Sequence, residues 1–334
     1  MRPIVLGAAG FLGLNVVDVM KAAGVDPVCG RRRRTNVLAL RSRRVEMVTA
    51  DLDDVDGLVE AMAGCTVVVH AAGHYPRLSL DREGALRLGL GQLRNALDAA
   101  HLAGVERFVY VSSTATVAPA RGRPSAESDL FATTPGHGVY HDLKWAMEQM
   151  ALDEDRLEVV VACPGACLGP WDLRVGTSAI IVATAHGLAP PHPDGLVNAV
   201  DVRDVAQALL RLATMQSPPR RVLLSGSDQP LQPLLEQLSV RYQVGPPSPA
   251  ISVEQARALA DAEEARCAAE GGRPALSREI VDLLIHSVSI DATHAETALG
   301  VRWTPLATTL DAFDVWARRF KIIPPAKHTK ESRV

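Results

Sequence analysis

The chain carries a tyrosine and a lysine four residues apart, in Tyr140-His141-Asp142-Leu143-Lys144. On a helix this spacing puts both side chains on one face. A free phenol has a pKa of about 10 and is a poor acid near neutrality. A fixed ammonium beside it favours the phenolate and lowers that value. Such a pair can give or take a proton at ordinary pH. The same spacing also occurs on surface helices that do no chemistry, so the surrounding elements decide between the two readings.

A chain of 334 residues has room for one large or two joined domains around a sizeable core. Its net charge of −3 provides no basic field for nucleic acid. No run approaches the roughly 20 apolar residues of a membrane span. Asn15 and Asp18 interrupt the apolar start, and the only early positive charge is Arg2, which argues against a signal peptide. The five cysteines (Cys29, Cys65, Cys163, Cys167, Cys267) are odd in number and form no CxxC pair. They read as reduced thiols in a cytoplasmic protein. Cys163 and Cys167 lack further nearby Cys or His ligands, so no metal site is expected.

The N-terminus reads as strand, glycine turn, helix. Ile4-Val5-Leu6 is apolar. Gly7-Ala8-Ala9-Gly10-Phe11-Leu12-Gly13 follows, then an amphipathic helical pattern over 14–20. Glycines allow a tight turn and close backbone approach, and a helix N-terminus offers free N–H groups to a pyrophosphate. Asp26–Cys29 reads as the second strand. In a dinucleotide fold its end bears an acid when the ribose 2′-hydroxyl is bound. Here Gly30-Arg31-Arg32-Arg33-Arg34 stands instead. Guanidinium groups suit a 2′-phosphate, so NADP(H) is favoured over NAD(H), with Arg31 and Arg32 as the candidates. Further strands are expected at 45–48, 66–71, 108–111 and 159–162. His70 reads as a packed core histidine. Leu86, Leu90, Leu93 and Leu97 mark the core face of a helix. The strand at 108–111 ends in Ser112-Ser113-Thr114, hydroxyls that either polarise a substrate carbonyl at the strand's carboxyl end or cap their own turn. Strands alternating with helices imply a parallel, doubly wound α/β sheet. Beyond Cys163 the alternation fails, and residues up to about 196 read as loop.

Three features thus occur in one order: Gly7-x-x-Gly10-x-x-Gly13, the Ser113/Thr114 strand end, and Tyr140-x-x-x-Lys144. Ala50-Asp51-Leu52, Val69-His70-Ala71-Ala72, Pro164-Gly165-x-x-x-Gly169-Pro170 and Asn198-x-Val200-Asp201-Val202-x-Asp204-Val205-Ala206 accompany them. Together they resemble the extended short-chain dehydrogenase/reductase superfamily over residues 1–240. The resemblance implies that Tyr140 is the general acid or base and that Lys144 tunes it and binds the nicotinamide ribose. It implies that Ser113 or Thr114, with a lean to Thr114, bonds the substrate oxygen. Gly7, Gly10, Phe11, Leu12, Gly13, Arg31, Arg32, Asp51, Leu52, Ala71, Ala72, Lys144 and Pro164 would hold the cofactor, Asp51 and Leu52 beside the adenine.

Departures from the family pattern narrow the branch. Gly89 stands where many members have an asparagine, and no sugar-binding asparagine lies near Ala166. Ala115 and Thr116 replace the acids of a dehydratase. The remaining likeness is to dihydroflavonol reductases and hydroxysteroid dehydrogenases. The expectation is an NADPH-dependent ketoreductase acting on a small hydrophobic ketone, β-keto substrate or alcohol. A sugar epimerase with tightly held NAD and a non-catalytic NADP-binding regulator are the alternatives. The dinucleotide-binding Rossmann-like domain is expected at 1–165 plus about 197–225, and the mixed substrate region at 166–196 plus 226–326, with a polar tail at 327–334. The loop after His74, Trp171 and the C-terminal region would line the substrate cavity. Relatives imply a homodimer through the two helices flanking the site.

Overall fold

The computed structural model describes residues 1–76, 78–189 and 191–326; Arg77, Pro190 and the tail expected at 327–334 lie outside the described residues. The first half alternates as expected: β1 (Pro3–Leu6), α1 (Phe11–Ala22), β2 (Val28–Arg31), α2 (Leu38–Arg41), β3 (Glu46–Thr49), α3 (Val55–Met62), β4 (Val67–His70), α4 (Arg82–Leu102) and β5 (Arg107–Val111). A 3₁₀ turn (Thr114–Thr116) leads to α5 (Val139–Leu152), followed by β6 (Glu158–Pro164), β7 (Ala166–Leu168), α6 (Ala179–Ala185), β8 (Leu196–Asp201), α7 (Val202–Thr214), β9 (Arg221–Leu224) and β10 (Ser227–Pro230). The chain closes with α8 (Leu231–Tyr242), α9 (Val253–Glu270), α10 (Arg278–His286), α11 (Thr293–Leu299) and α12 (Leu306–Arg319).

Seven strands form one parallel sheet in the order β3-β2-β1-β4-β5-β6-β9. Helices cover both faces, so its central strands are near-continuous apolar runs rather than alternating ones, while the edge strand β3 exposes Glu46 and Thr49. Every residue of β1 and β4 is buried. One face packs α1 and α7 around Leu14, Val17, Val205 and Leu209. The other packs α3, α4 and α5 around Leu58, Leu93, Leu97 and Leu143. The fold is a Rossmann-like doubly wound α/β structure. Strand order reverses between β1 and β4, which opens a crevice at their carboxyl ends.

Two expectations need correction. The second strand runs Val28–Arg31, two residues later than read, because Pro27 lacks the N–H of a central ladder. Arg31 therefore sits on the strand rather than in the loop. The stretch taken as loop contains β7 and α6, and β8 does not join the main sheet. It lies between β7 and β10 in a small mixed sheet. Only β9 returns to the main sheet, beside β6.

Candidate active site

The crevice is built from backbone. Gly7 leaves β1 at φ +81°, and a Cβ there would stand 2.8 Å from the Ala71 carbonyl oxygen. Ala71 and Ala72 end β4, so the turn presses directly on them. The Gly10 N–H donates to the Gly7 carbonyl at 2.8 Å. A Cβ at Gly13 would lie 2.2 Å from that same oxygen, so only glycine lets α1 sit this close. Gly10 caps α1 with no side chain, and the first turn holds no acid. Its leading N–H groups, including those of Phe11 and Leu12, lack intrahelical acceptors and carry the positive end of the helix dipole. On the neighbouring strand the Gly30 carbonyl accepts from Gly7 and Ala8. Arg31 donates through Nη1 to the Arg33 carbonyl at 3.1 Å, while its buried Nε has no partner among the described residues. Arg32 is exposed. An anion-ready helix end and, at the end of β2, a guanidinium N–H without a partner among the described residues fit a dinucleotide cofactor.

Across the crevice, α5 presents Tyr140 and Lys144. Tyr140 is 9% exposed. Burial pushes its phenol up to about 12, and the nearby Ser113 hydroxyl pulls the other way. The expected lowering by Lys144 does not appear. The ammonium instead donates to the Val111 carbonyl at 3.1 Å and lies 5.5 Å from the Tyr110 ring centre. Burial pushes Lys144 down to about 8. Ser113, in extended conformation, caps the 3₁₀ turn by accepting from the Ala115 N–H at 3.2 Å, and Thr114 is the first residue of that turn. Tyr75, from the loop after β4, lays its ring 4.9 Å from that of Tyr140.

Comparison with known proteins gives the family and supports the fold. The model of the NAD dependent epimerase/dehydratase family matches residues 4–224. A Synechocystis sp. protein named "Putative dihydroflavonol 4-reductase" is 30% identical over 305 residues, 89% of either chain. The chain belongs to the NAD-dependent epimerase/dehydratase family. That places it in the extended short-chain dehydrogenase/reductase superfamily, as an NAD(P)-dependent oxidoreductase. The sterol demethylase protein B of Methylococcus capsulatus is 28% identical over 258 residues, covering 76% of this chain and 77% of its own. The crystal structure of a nucleoside-diphosphate-sugar epimerase from Pseudomonas aeruginosa superposes with a TM-score of 0.80 at 26% identity, over 97% of this chain and 99% of its own.

Within this family member a buried network lies behind the serine. Glu148, one turn past Lys144, is 0% exposed. It accepts from Ser112 Oγ, from Thr116 Oγ1 at 2.7 Å and from Arg221 Nε at 2.7 Å. Arg221 also donates to the Glu127 carbonyl at 2.8 Å. The network pins the end of β5 to β9 and fixes the backbone on which Ser113 stands. Sequence reading missed Glu148, although its i+4 spacing from Lys144 is a usable signal. It also missed Asn15, whose amide donates to the carbonyls of Phe11 and Pro170 at 2.9 and 3.0 Å and ties the glycine-turn helix to the chain beyond β7.

Other candidates fall in different places. Asp51 follows β3 and accepts from the Asp53 N–H at 3.3 Å; Leu52 is 7% exposed and packs into the core. Pro164 ends β6 and pairs with Leu224. A Cβ at Gly165 would meet the Asn198 carbonyl at 2.3 Å, which accounts for that glycine. Trp171, expected along the substrate cavity, lies instead under the Arg43 guanidinium at 4.3 Å and against Phe320 of the C-terminal segment. A cation–π contact and an aromatic cluster give the indole a better home than open solvent. His70 is fully buried between Phe108 and Tyr110, and burial pushes it down to about 4. At Gly89 a Cβ would stand 2.7 Å from Leu143 Cδ1, so an asparagine there requires the leucine to shift. Met147 is core; Trp145 donates its indole N–H to the Phe131 carbonyl at 3.1 Å.

Proposed function

We propose that the protein is an NADPH-dependent ketoreductase for a small hydrophobic ketone or β-keto substrate. The observation that carries this reading is the buried Tyr140 one helical turn before the buried Lys144 on α5, with Ser113 nearby at the end of β5 and the glycine turn at the end of β1. Gly7, Gly10, Phe11, Leu12 and Gly13 would seat the pyrophosphate, with Ala71, Ala72 and Pro164 as walls and Asp51 and Leu52 toward the adenine. Arg31 and Arg32 stand at the end of β2 with no acid among them, which favours a 2′-phosphate. When bound, the nicotinamide supplies the hydride. Ser113 donates a hydrogen bond to the substrate carbonyl oxygen, which polarises it. Tyr140 passes its phenolic proton to the same oxygen as the alcohol forms. A phenol held protonated by burial is in the correct state for this acid role. Lys144, adjacent along the helix face, orients the ribose and offers a positive charge as the phenolate develops. Thr114 stands beside Ser113 as a second hydroxyl.

The named relatives, a dihydroflavonol reductase and a sterol-acting protein, support a hydrophobic substrate. A homodimer through α4 and α5 and a cytoplasmic location belong to the same proposal. Among the described residues no helix is long and apolar enough to cross a membrane. NADPH oxidation is measured against a panel of β-keto acids, cyclic ketones and aldehydes, with NADH in parallel. Tyr140→Phe is expected to lower turnover by about 10²–10⁴-fold while leaving NADPH binding intact. Near-native turnover in that variant would end the proposal. The epimerase reading is favoured by the likeness to the Pseudomonas structure. NAD released on denaturing the purified protein would support it instead.

A further inference from the structure

Helix α5 begins without a cap of its own. Its N-cap is Gly138, at φ +129° with no side chain to accept from the first-turn amides. Such N–H groups have no intrahelical acceptor, and burying them unpaired is costly. Here the partner comes from 139 residues further along the chain. Glu279, in α10, accepts from the Tyr140 N–H at 2.7 Å through Oε2 and from the Val139 N–H at 3.2 Å through Oε1. It is 1% exposed. A Cβ on Gly138 would stand 3.0 Å from Asp282 Oδ2 and 3.5 Å from Glu279 Oε2, so the glycine is what admits the carboxylates.

The same helix pair holds the opposite wall. Glu264, in α9 and also 1% exposed, accepts from both the N–H and the hydroxyl of Ser79, at 2.8 and 2.7 Å. Ser79 lies four residues beyond Tyr75, whose ring meets that of Tyr140. Glu264 also accepts from the Arg278 N–H at the start of α10. Two buried carboxylates therefore reach from one helix pair to the backbone of Tyr140 and to the loop that carries Tyr75. Both lie beyond the segment matched by the family model, which ends at residue 224.

We propose that Glu279 is a positioning residue for Tyr140: its carboxylate caps the helix that bears the phenol and makes the α9–α10 pair an integral part of the active site. The proposal rests on Tyr140 acting as the proton donor. The surroundings are crowded with charge. Asp282 on α10, Glu264 on α9 and Tyr75 face the carboxylate; Arg278 and Arg257 pair with Asp282, and Arg278 also with Asp261. From α5 and the segment before it come Asp142, His137 and His141, with His286 stacked 3.8 Å from His137. Burial, together with Asp282 and Glu264, lifts Glu279 to about 7, against the pull of its two N–H donors. The ionised carboxylate in turn raises the Tyr140 phenol.

Amide hydrogen exchange on the intact wild-type chain is the deciding measurement, because it needs neither a variant nor a substrate. Val139 and Tyr140 are expected to be protected like the interior of α5. Exchange as fast as that of an open loop overturns the proposal. In Glu279→Gln, which keeps the shape but replaces one acceptor by a donor, exchange at these two amides is expected to rise about 10-fold or more. With phenanthrenequinone as an apolar dicarbonyl probe, the same variant is expected to lose about 10-fold in kcat with KM for NADPH unchanged. The basic limb of its kcat profile should move to lower pH, because the phenol loses a neighbouring negative charge; a merely structural role would leave that limb in place. Unchanged kcat and an unmoved limb also count against the proposal. Full activity in Tyr140→Phe would end the ketoreductase reading while leaving the amide protection standing, so the two failures are distinguishable.

Discussion

Glu148 offers the strongest test of how the site is built. The carboxylate and its partner Arg221 are 0% and 7% exposed at their side chains, and Ser112 and Thr116 share the same anion. Truncation in Glu148→Ala leaves a buried guanidinium facing only the Glu127 carbonyl and Thr116 Oγ1, at 2.8 and 3.2 Å. Breaking one side of a buried pair costs about 3–5 kcal/mol. A whole domain is stable by about 5–15 kcal/mol, so a large share of the margin goes. Replacing both partners, in Glu148→Leu with Arg221→Met, removes the stranded charge and leaves the Ser112 hydroxyl, the Cys163 thiol and the Glu127 carbonyl without these partners, at up to about 1 kcal/mol each, while Thr116 keeps the Ser113 carbonyl. The double variant is therefore expected to be more stable than Glu148→Ala, with a coupling of about 2 kcal/mol. Urea unfolding followed by far-ultraviolet circular dichroism measures the wild type, Glu148→Leu, Arg221→Met and the double variant for the cycle, with Glu148→Ala beside them. A loss below about 1 kcal/mol in Glu148→Ala, or strict additivity across the cycle, would refute the reasoning. Catalysis reports on the same charge. Glu148 is among the groups that raise Lys144 against burial, so Glu148→Gln is expected to move the lysine below its present value of about 8.

Three further outcomes follow from the geometry. Arg31→Ala is expected to weaken NADPH binding by about 1.5–3 kcal/mol and leave NADH unchanged, read by cofactor fluorescence titration; equal losses for both would remove the 2′-phosphate assignment. Gly13→Ala forces α1 off the Gly7 carbonyl, at a cost of about 3 kcal/mol and with loss of cofactor affinity, checked by thermal unfolding and the same titration. Burial holds His141 down to about 3 from 6.5, so its contribution to stability is present above about 6.5 and is lost as pH falls toward 3, by about 2 kcal/mol between pH 7 and pH 5. Glu279, raised to about 7, acts in the opposite sense, being most favourable below about 4.5 and losing its contribution as pH rises through 7. The histidine effect is therefore read as the difference between wild type and His141→Phe; parallel pH curves would rule it out.

What could be read from the chain is what local spacing encodes. The glycine turn follows from Gly7 and Gly13, each of which must be glycine because a carbonyl oxygen occupies the place of its Cβ. The core strands β1 and β4 follow from uninterrupted apolar runs. Tyr140 and Lys144 share a helix face because helices repeat every 3.6 residues. Spacing fails where a property depends on surroundings. The expected drop in the Tyr140 pKa assumed that one neighbour decides, whereas desolvation inside the fold outweighs it. Ser113 and Thr114 look alike in sequence, and only the fold shows that the first caps the 3₁₀ turn that the second begins. The strand β8 reads like any buried strand, and nothing in its own residues says which sheet accepts it. Glu279 is the limiting case. A glutamate in an amphipathic helix near the C-terminus looks like a solvated charge, yet it is buried against the amides of Val139 and Tyr140. The only hint is a missing feature: Gly138 stands where a helix ordinarily begins with Ser, Thr, Asp or Asn. A helix that carries reactive chemistry and lacks its own cap needs a cap from elsewhere, and a buried acid distant in sequence is the kind of group that can supply one.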